Sequence, residues 1–564
     1  MIEPDWLWHF LRRDRIHTST KRKRVNPQPA CSKSHLTQTA RYHFTCRCAN
    51  LETRRLDPLL ASRRNVSYDV RMFSAVAISF IVYTGVILVL GMVSSHFSKE
   101  SHSDFLLADR GLGPWVAGLS AAASAESGWV TLGLVGFAFK TGIGAFWVVP
   151  GTFAAFLFNW FVLGPRLRKY SADQNSLTVV DVIAVGRTKT WALPIRLIGI
   201  AIVLSMLTAY VAAQLNAAGK TFVGTFEWKY YVGVLVGAGI VLVYTLVGGF
   251  RAVSWTDVIQ SIFMIGAVTI LPIYLIQQIG GFSEFWNGLR AMEGGENLTS
   301  IFAGKSGIAL VGFLALWLGI PLGNSGQPHA MIRLMATRDD RSVFRGGIIC
   351  SLWVLILFSG AILLGVAARV YYDGGLADPE NTIPRIATDA NLVPGILGGM
   401  LLAAILAAIC STADSQLLVS ASAVSHDLME RIFGWQPTLA MRKIVERSAL
   451  VLVGVIATAI ALGEVRSVFT FVLDYGWAGL GAGLGPALIL SLLWKRTNGP
   501  GIVCGMVFGV TTVVVWKQFP ELSKNFYGLV PAFFGSMICI VLVSIVSQTI
   551  FPNIDRKKEV DEPS

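Results

Sequence analysis

The chain has 564 residues, of which 53% are hydrophobic and only 14% are charged. A mean hydropathy of +0.58 is too high for a soluble globular protein and predicts a polytopic membrane protein built from α-helices. The net charge of +13 would suggest a nucleic-acid partner in a soluble protein, but much of it lies in residues 1–71, which hold 15 Lys and Arg against 6 Asp and Glu. We therefore expect the lipid bilayer, and no nucleic acid, as a partner.

The basic segment 1–71 contains no apolar stretch long enough for a signal peptide. We predict that it is disordered or absent from the mature protein, with Met72 as an alternative start. Residues 72–551 are predicted to form the transmembrane domain, and residues 552–564 a cytoplasmic tail.

Thirteen apolar stretches are long enough to cross a bilayer. They lie near 73–95, 113–139, 143–164, 193–216, 230–247, 256–278, 307–329, 343–371, 394–424, 447–463, 468–494, 500–517 and 526–551. Counted over alternate connections, one side holds 22 Lys and Arg and the other 10. The positive-inside rule makes the richer side, which includes the C-terminus, cytoplasmic.

Two of these stretches are interrupted at matching positions. The first contains Ser124–Gly128 at its centre, and the second contains the Gly- and Pro-rich stretch Gly319–Pro328. Broken helices expose backbone groups that are tolerated in a membrane only where a ligand, an ion or water satisfies them. Their places, at the start of two five-helix sets (113–278 and 307–494), predict an inverted-repeat secondary transporter.

A third apolar stretch, Leu401–Ser420, carries Ser411, Thr412, Asp414 and Ser415 in its middle. Hydroxyl and carbonyl oxygens on adjacent helix faces form a set of hard ligands that suits a small alkali cation, and an intramembrane carboxylate marks a functional site. The alternative is that the hydroxyls bond to carbonyls four residues back and help helices to pack.

Several longer motifs point to one family. They are LADRGLGPWVAGLSAAASAESGW (107–129), GGFRAVSWTDVIQ (248–260), GQPHAMIRLMA (326–336), LLAAILAAICSTADSQLLVSASAVSHDL (401–428) and YGWAGLGAGLGP (475–486). Through them the chain resembles the sodium/solute symporter family, and within it the sodium/proline symporters. The resemblance covers roughly 72–551 and implies an all-α LeuT-type 5+5 inverted-repeat fold with about 13 transmembrane helices and an external N-terminus.

The resemblance also implies site residues. It places sodium on the backbone carbonyls of Ala123, Glu126 and Ala408 and on the hydroxyls of Ser411 and Thr412. Substrate contacts fall on Ser127, Trp129, Gly133, Tyr210, Gln327 and Pro328. Asp257 of the WTD motif resembles a residue that helps coupling or ion release, the alternative being a helix N-cap. Asp414 and Ser415, with Asp257, are candidates for a second cation site.

Two departures from the family pattern concern the solute. The Asp of the proline symporters falls at Ala125, whereas the neighbouring position carries Glu126. Aromatic residues expected in the second break fall at Ile320 and Asn324, and we keep Asn324 as a candidate substrate contact. Both changes weaken the case for proline itself.

The resulting hypothesis is sodium-coupled symport of proline or a related amino acid by alternating access, in a plasma or bacterial inner membrane. The alternatives are symport of another amino acid, a carboxylate or a sugar, proton coupling through Glu126 and Asp414, and a transport-like membrane sensor. No enzyme is expected, because no nucleophile with a base, no metal cluster and no phosphate loop is evident, and His329 and His426 are isolated in sequence. No obligate protein partner is evident.

Overall fold

The structure, a computed structural model, describes residues 75–93, 101–463 and 467–551. Within these ranges the chain is helical, and its one β-type pairing is an isolated parallel bridge between Leu112 and Thr337. The expectations for residues 1–71 and for the tail 552–564 lie outside the described residues.

The main helices are connected by shorter helical turns. They are α1 Ala75–Val93, α2 Pro114–Ala125, α3 Val135–Thr141, α4 Val148–Leu157, α5 Gly164–Asp173, α6 Val179–Ala184, α7 Lys189–Phe226, α8 Tyr230–Ile279, α9 Phe282–Ala291, α10 Gly307–Gly319, α11 Pro328–Met335, α12 Asp340–Tyr371, α13 Gly395–Ser422, α14 Leu439–Ala461, α15 Ala478–Leu493, α16 Gly499–Trp516 and α17 Leu529–Ile550.

Eleven helical segments among the described residues are long and apolar enough to cross a membrane, with a shorter apolar helix at Tyr230–Val243. The predicted count of thirteen is therefore not confirmed. One reason is that the predicted span 113–139 is cut at Glu126, so that α2 alone is too short. Its second half continues into the next predicted span as one segment, Trp129–Asp173.

Helix α8 contains a kink that the sequence analysis treated as a connection between two spans. Gly249 has φ 64° and ψ −178°, a conformation that side chains with a Cβ rarely adopt. A Cβ at this position would also lie 2.9 Å from the Phe105 ring. The predicted spans 230–247 and 256–278 are thus two pieces joined directly at this glycine.

Both predicted helix breaks are present. Helix α2 ends at Ala125 and the backbone of Glu126 is extended (φ −104°, ψ 111°) before the chain resumes as a wide helical turn at Trp129–Leu134. Helix α10 gives way to a tight turn at Ile320–Gly326, and the extended residue Gln327 precedes α11.

The glycine-rich start of α15 allows close contact with the second break. A Cβ on Gly481 would lie 2.6 Å from the Cα of Gly323, and one on Gly326 would lie 2.6 Å from the Cα of Gly481. These distances are shorter than any real Cβ contact, so the two backbones meet where side chains are absent. The glycines therefore serve helix packing, which sets the position of the second break.

A cluster of charged residues joins α6, the start of α7 and the end of the α13 segment. Asp181 pairs with Arg196 at 2.7 Å and Arg431 at 3.0 Å, and His426 lies 3.4 Å from the same carboxylate. Burial raises the pKa of Asp181, but the hydrogen bond with His426 and the neighbouring guanidinium groups outweigh it and lower the pKa to about 2. The description of His426 as isolated is wrong, because sequence separation hid this contact.

The glycine packing can be tested with a matched pair of variants. Gly481→Ala should destabilise the protein by about 1–3 kcal/mol, because the new methyl group meets backbone that cannot move aside. Gly266→Ala is the control, since a Cβ there has open space around it within α8. Thermal unfolding of the two purified variants measures the difference, and a Gly481→Ala protein that melts with the wild type would contradict the packing.

Candidate functional site

The first break leaves a backbone carbonyl next to the polar part of α13. In a continuous helix the carbonyl of Ala123 would accept from the N–H four residues later. Here the helix ends, and this carbonyl accepts from the Ser411 hydroxyl at 2.9 Å. The same hydroxyl lies 2.8 Å from the carbonyl of Ala407 and 3.3 Å from that of Ala408. Three of the five expected sodium ligands, Ala123, Ala408 and Ser411, are thus in contact.

The other two expected ligands present oxygens that helical hydrogen bonds do not use. The Thr412 hydroxyl is fully buried and has no hydrogen-bond partner among the described residues. At Glu126 the N–H that would bond to its carbonyl in a helix, that of Val130, donates to Ser127. Buried oxygens without partners are costly, and a hard cation is one way to satisfy them.

A buried polar network lies beside this group and centres on Asp257. Its Oδ2 accepts hydrogen bonds from Ser120 at 2.7 Å, from Ser124 at 3.0 Å and from Arg333 at 3.1 Å. Asp257 lies in the interior of α8 and is fully buried. The alternative reading of Asp257 as a helix N-cap is therefore wrong, because no helix begins there.

Arg333 on α11 is the residue of this network that the sequence analysis missed. Its guanidinium is fully buried, donates to Ser415 at 2.6 Å and to Ser120 at 3.1 Å, and lies 5.0 Å from the centre of the Phe250 ring. A lone Arg in the motif GQPHAMIRLMA, beside a predicted helix break, was the available signal, since an intramembrane charge needs a buried partner.

The guanidinium bears on the expected second cation site. Ser415 contacts both Arg333 and Asp414, its hydroxyl donating to the Asp414 carboxylate at 3.0 Å. Asp257 shares one carboxylate oxygen with Arg333, while its Oδ1 has no hydrogen-bond partner among the described residues. A fixed positive charge thus already lies among these residues, and the second cation stays a prediction.

A small cavity of about 20 Å³ lies beside the first break. Its lining includes four of the named residues: Glu126, Trp129, Tyr210 and Asn324. It also includes Thr152, Phe358 and Trp477, which the sequence analysis did not select because they lie on α4, α12 and the turn before α15. The walls are largely apolar and include four aromatic side chains.

Four expected substrate contacts do not line this cavity. The Ser127 hydroxyl accepts from the Tyr210 hydroxyl at 3.5 Å, so Ser127 contacts a residue that lines the cavity. Gly133 lines a separate, larger cleft. Gln327 uses its Nε2 to donate to the carbonyls of Gly323 and Trp477, each at 3.1 Å, and Pro328 begins the buried helix α11. These two residues support the second break, and their contact with solute stays a prediction.

Comparison with known proteins gives these features a context. The sequence profile described as "Sodium:solute symporter family" matches residues 105–509. The sodium/proline symporter of Salmonella typhimurium is 32% identical over 477 residues, covering 84% of this chain and 93% of that protein. The high-affinity proline transporter PutP of Bacillus subtilis is 33% identical over 449 residues, covering 79% and 93%.

A solved structure of a Na⁺-coupled sialic acid symporter, in a substrate-bound outward-open state, has a TM-score of 0.70 to this chain. It is 18% identical and covers 84% of this chain and 97% of its own. At this identity the likeness shows the fold, which is the expected LeuT-type architecture. With a family profile that spans most of the chain and relatives above 30% identity, this chain belongs to the sodium:solute symporter family.

Proposed function

We propose that this sodium-coupled symporter carries proline or a related amino acid into the cell by alternating access. The observation that carries the proposal is the contact of Ser411 with the carbonyl of Ala123, beside the unpartnered hydroxyl of Thr412. Both curated relatives described above are proline transporters by name. The site geometry supports a cation at the point where the first break meets α13.

Sodium binding can change the hydrogen bond that the Ser411 hydroxyl donates. Without the ion it donates to Ala123 across the helix interface. With the ion it can turn its proton to the carbonyl of Ala407, 2.8 Å away, and offer its lone pairs to sodium together with Thr412. Sodium would then hold α2 against α13 and fix the break.

The solute cavity begins at the same break, because Glu126 lies three residues after Ala123 and lines it. An ion that fixes this segment prepares the cavity, and a solute that fixes the segment prepares the ion site. Each ligand should therefore raise the affinity of the other by the same factor.

The driving force is sufficient for concentrative uptake. A membrane potential of roughly 100 mV supplies about 2.3 kcal/mol per sodium ion. A roughly tenfold sodium gradient adds about 1.4 kcal/mol. One sodium per solute could thus sustain a solute gradient of several hundredfold.

We propose that the pair of Asp257 and Arg333 positions the ion site. It links α8 to α11, and through Ser120, Ser124 and Ser415 it also reaches α2 and α13. Both broken-helix regions are thereby tied to the helix that carries Ser411. A change at either break would be felt by the other through this pair.

The proposed orientation places the C-terminus of this multi-pass cell-membrane protein in the cytoplasm. Ion pairs connect segments that the charge count assigned to one side: Asp181 to Arg431, and Arg168 to Asp340 at 2.9 Å. This grouping supports a basic cytoplasmic face.

The sodium site can be tested by uptake of labelled L-proline into proteoliposomes that contain the full chain. Ser411→Ala with Thr412→Ala should raise the sodium concentration for half-maximal uptake about tenfold or more, because ligand oxygens worth ~1.4 kcal/mol or more are removed. Ser420→Ala is the control, since among the described residues this hydroxyl bonds only to the carbonyl of Gln416 on the same helix. Unchanged sodium dependence in the double variant would contradict the site.

The buried ion pair predicts a non-additive response to neutralisation. Asp257→Asn and Arg333→Met should each destabilise the protein by about 3–5 kcal/mol, because each leaves one charge buried without its partner. The variant with both changes should melt above both single variants. Thermal unfolding measures this, and a double variant no more stable than the singles would contradict the pairing.

The orientation can be tested with reporters. A green fluorescent protein fused after residue 564 should fluoresce, and alkaline phosphatase at the same place should be inactive. Alkaline phosphatase inserted after Lys305, in a connection assigned to the opposite side, is the control and should be active. The reverse pattern would overturn the proposed orientation.

A further inference from the structure

Glu126 lines the proposed solute cavity. Glu126 is 3% exposed, and both it and Ala125 line the cavity. Adjacent residues on a continuous helix point about 100° apart. Because the backbone of Glu126 is extended, the break brings the two neighbouring positions to the same cavity. A carboxylate at position 126 can thus reach the space that one at position 125 would reach.

This carboxylate has no counter-charge in the cavity. The lining contains no Lys, Arg or His. The backbone N–H of Glu126 donates to the carbonyl of Ala122, but the Glu126 carboxylate makes no hydrogen bond or ion pair within the described part of the chain. A buried carboxylate without a partner is costly, so an occupant that brings a positive group would stabilise it.

The cavity walls favour the same kind of group. Trp129, Tyr210, Phe358 and Trp477 contribute aromatic surface. The rings of Trp129 and Phe358 lie 6.0 Å apart, and the Trp477 indole is held by a hydrogen bond to the carbonyl of Ile320 at 2.7 Å. Aromatic faces attract cations, and alkylated ammonium groups most readily exploit them because they are weakly hydrated.

We propose that Glu126 binds the positively charged nitrogen of the transported solute, so that the substrate class is a small zwitterion with an ammonium group. The inference rests on the proposed sodium symport of an amino acid and assigns the residue that recognises the positive nitrogen of the solute. It excludes simple carboxylate anions, because they would place two negative charges in one cavity. It also argues against neutral sugars, because they have no positive group to pair with the Glu126 carboxylate.

Charge balance supports the zwitterion further. One sodium at Ser411 and Ala123 brings one positive charge close to the cavity, and Glu126 brings one negative charge. A zwitterionic solute adds no net charge, so its binding leaves the net charge of the buried site unchanged while its ammonium group pairs with Glu126. The ammonium end then faces Glu126, and the solute carboxylate faces the sodium side.

The first test needs no variant. Competition against sodium-dependent uptake of labelled L-proline is measured with three unlabelled probes on the full chain in proteoliposomes. L-proline methyl ester, which keeps the ammonium charge, and glycine betaine, which carries a quaternary ammonium, should compete. N-acetyl-L-proline, which lacks the positive nitrogen, should compete at least tenfold more weakly. Equal competition by N-acetyl-L-proline would overturn the proposal.

The second test moves the charge. Glu126→Gln keeps the side-chain size and should weaken L-proline affinity about tenfold or more, while sodium affinity, which uses the backbone carbonyl, changes little. Ala125→Asp with Glu126→Ala returns a carboxylate to the same cavity and should restore much of the lost affinity. Ser420→Ala is again the control. L-proline affinity in Glu126→Gln equal to that of the wild type would overturn this role. A substitution that removes only the pH dependence of uptake would also overturn it and would indicate that Glu126 binds a proton instead.

A further measurement distinguishes failure of this inference from failure of the proposed function. If the wild type takes up no L-proline, the three probes are compared by their sodium-dependent quenching of tryptophan fluorescence in the purified protein. Ammonium-selective binding that depends on Glu126 would then support the inference although proline fails as the solute. Binding without such selectivity would overturn it.

Discussion

The structure depends on one interrupted hydrogen-bond series, in α2. Because the helix stops at Ala125, the carbonyl of Ala123 is left for the Ser411 hydroxyl of α13. The same interruption turns Glu126 into the solute cavity. The proposed ion site and the proposed solute cavity therefore both adjoin a single break. We propose that coupling arises from this shared backbone segment, with no long pathway required.

Charge inside the membrane is arranged in two ways. Asp257 and Arg333 neutralise each other and connect the helices next to the two breaks. The pair therefore has a structural role as long as the two residues remain in contact. Glu126 is different, because no basic group faces it in the cavity. A fixed pair gives rigidity, whereas an unpaired carboxylate gives affinity for a mobile cation. The distinction separates residues that position the site from one that is proposed to recognise solute.

Much of this organisation could be read from the sequence. Polar and Gly- or Pro-containing interruptions in apolar spans predicted both breaks, because such groups are costly in lipid. The hydroxyls of α13 predicted an ion site, which stays a prediction. Contacts between distant segments could not be read. Arg333 contacts Asp257, and Phe358 and Trp477 line the same cavity as Glu126, only because the helices pack together. Predicted spans join at Gly249 and after Glu126 because of local backbone angles. Hydropathy carries no information about these angles.

The most direct test of the central claim is equilibrium binding to the purified full chain by isothermal titration calorimetry. L-proline is titrated at a series of sodium concentrations, and sodium is titrated with and without L-proline. The account predicts that sodium raises L-proline affinity and that L-proline raises sodium affinity by the same factor. L-proline affinity that is independent of sodium would contradict a shared break as the origin of coupling.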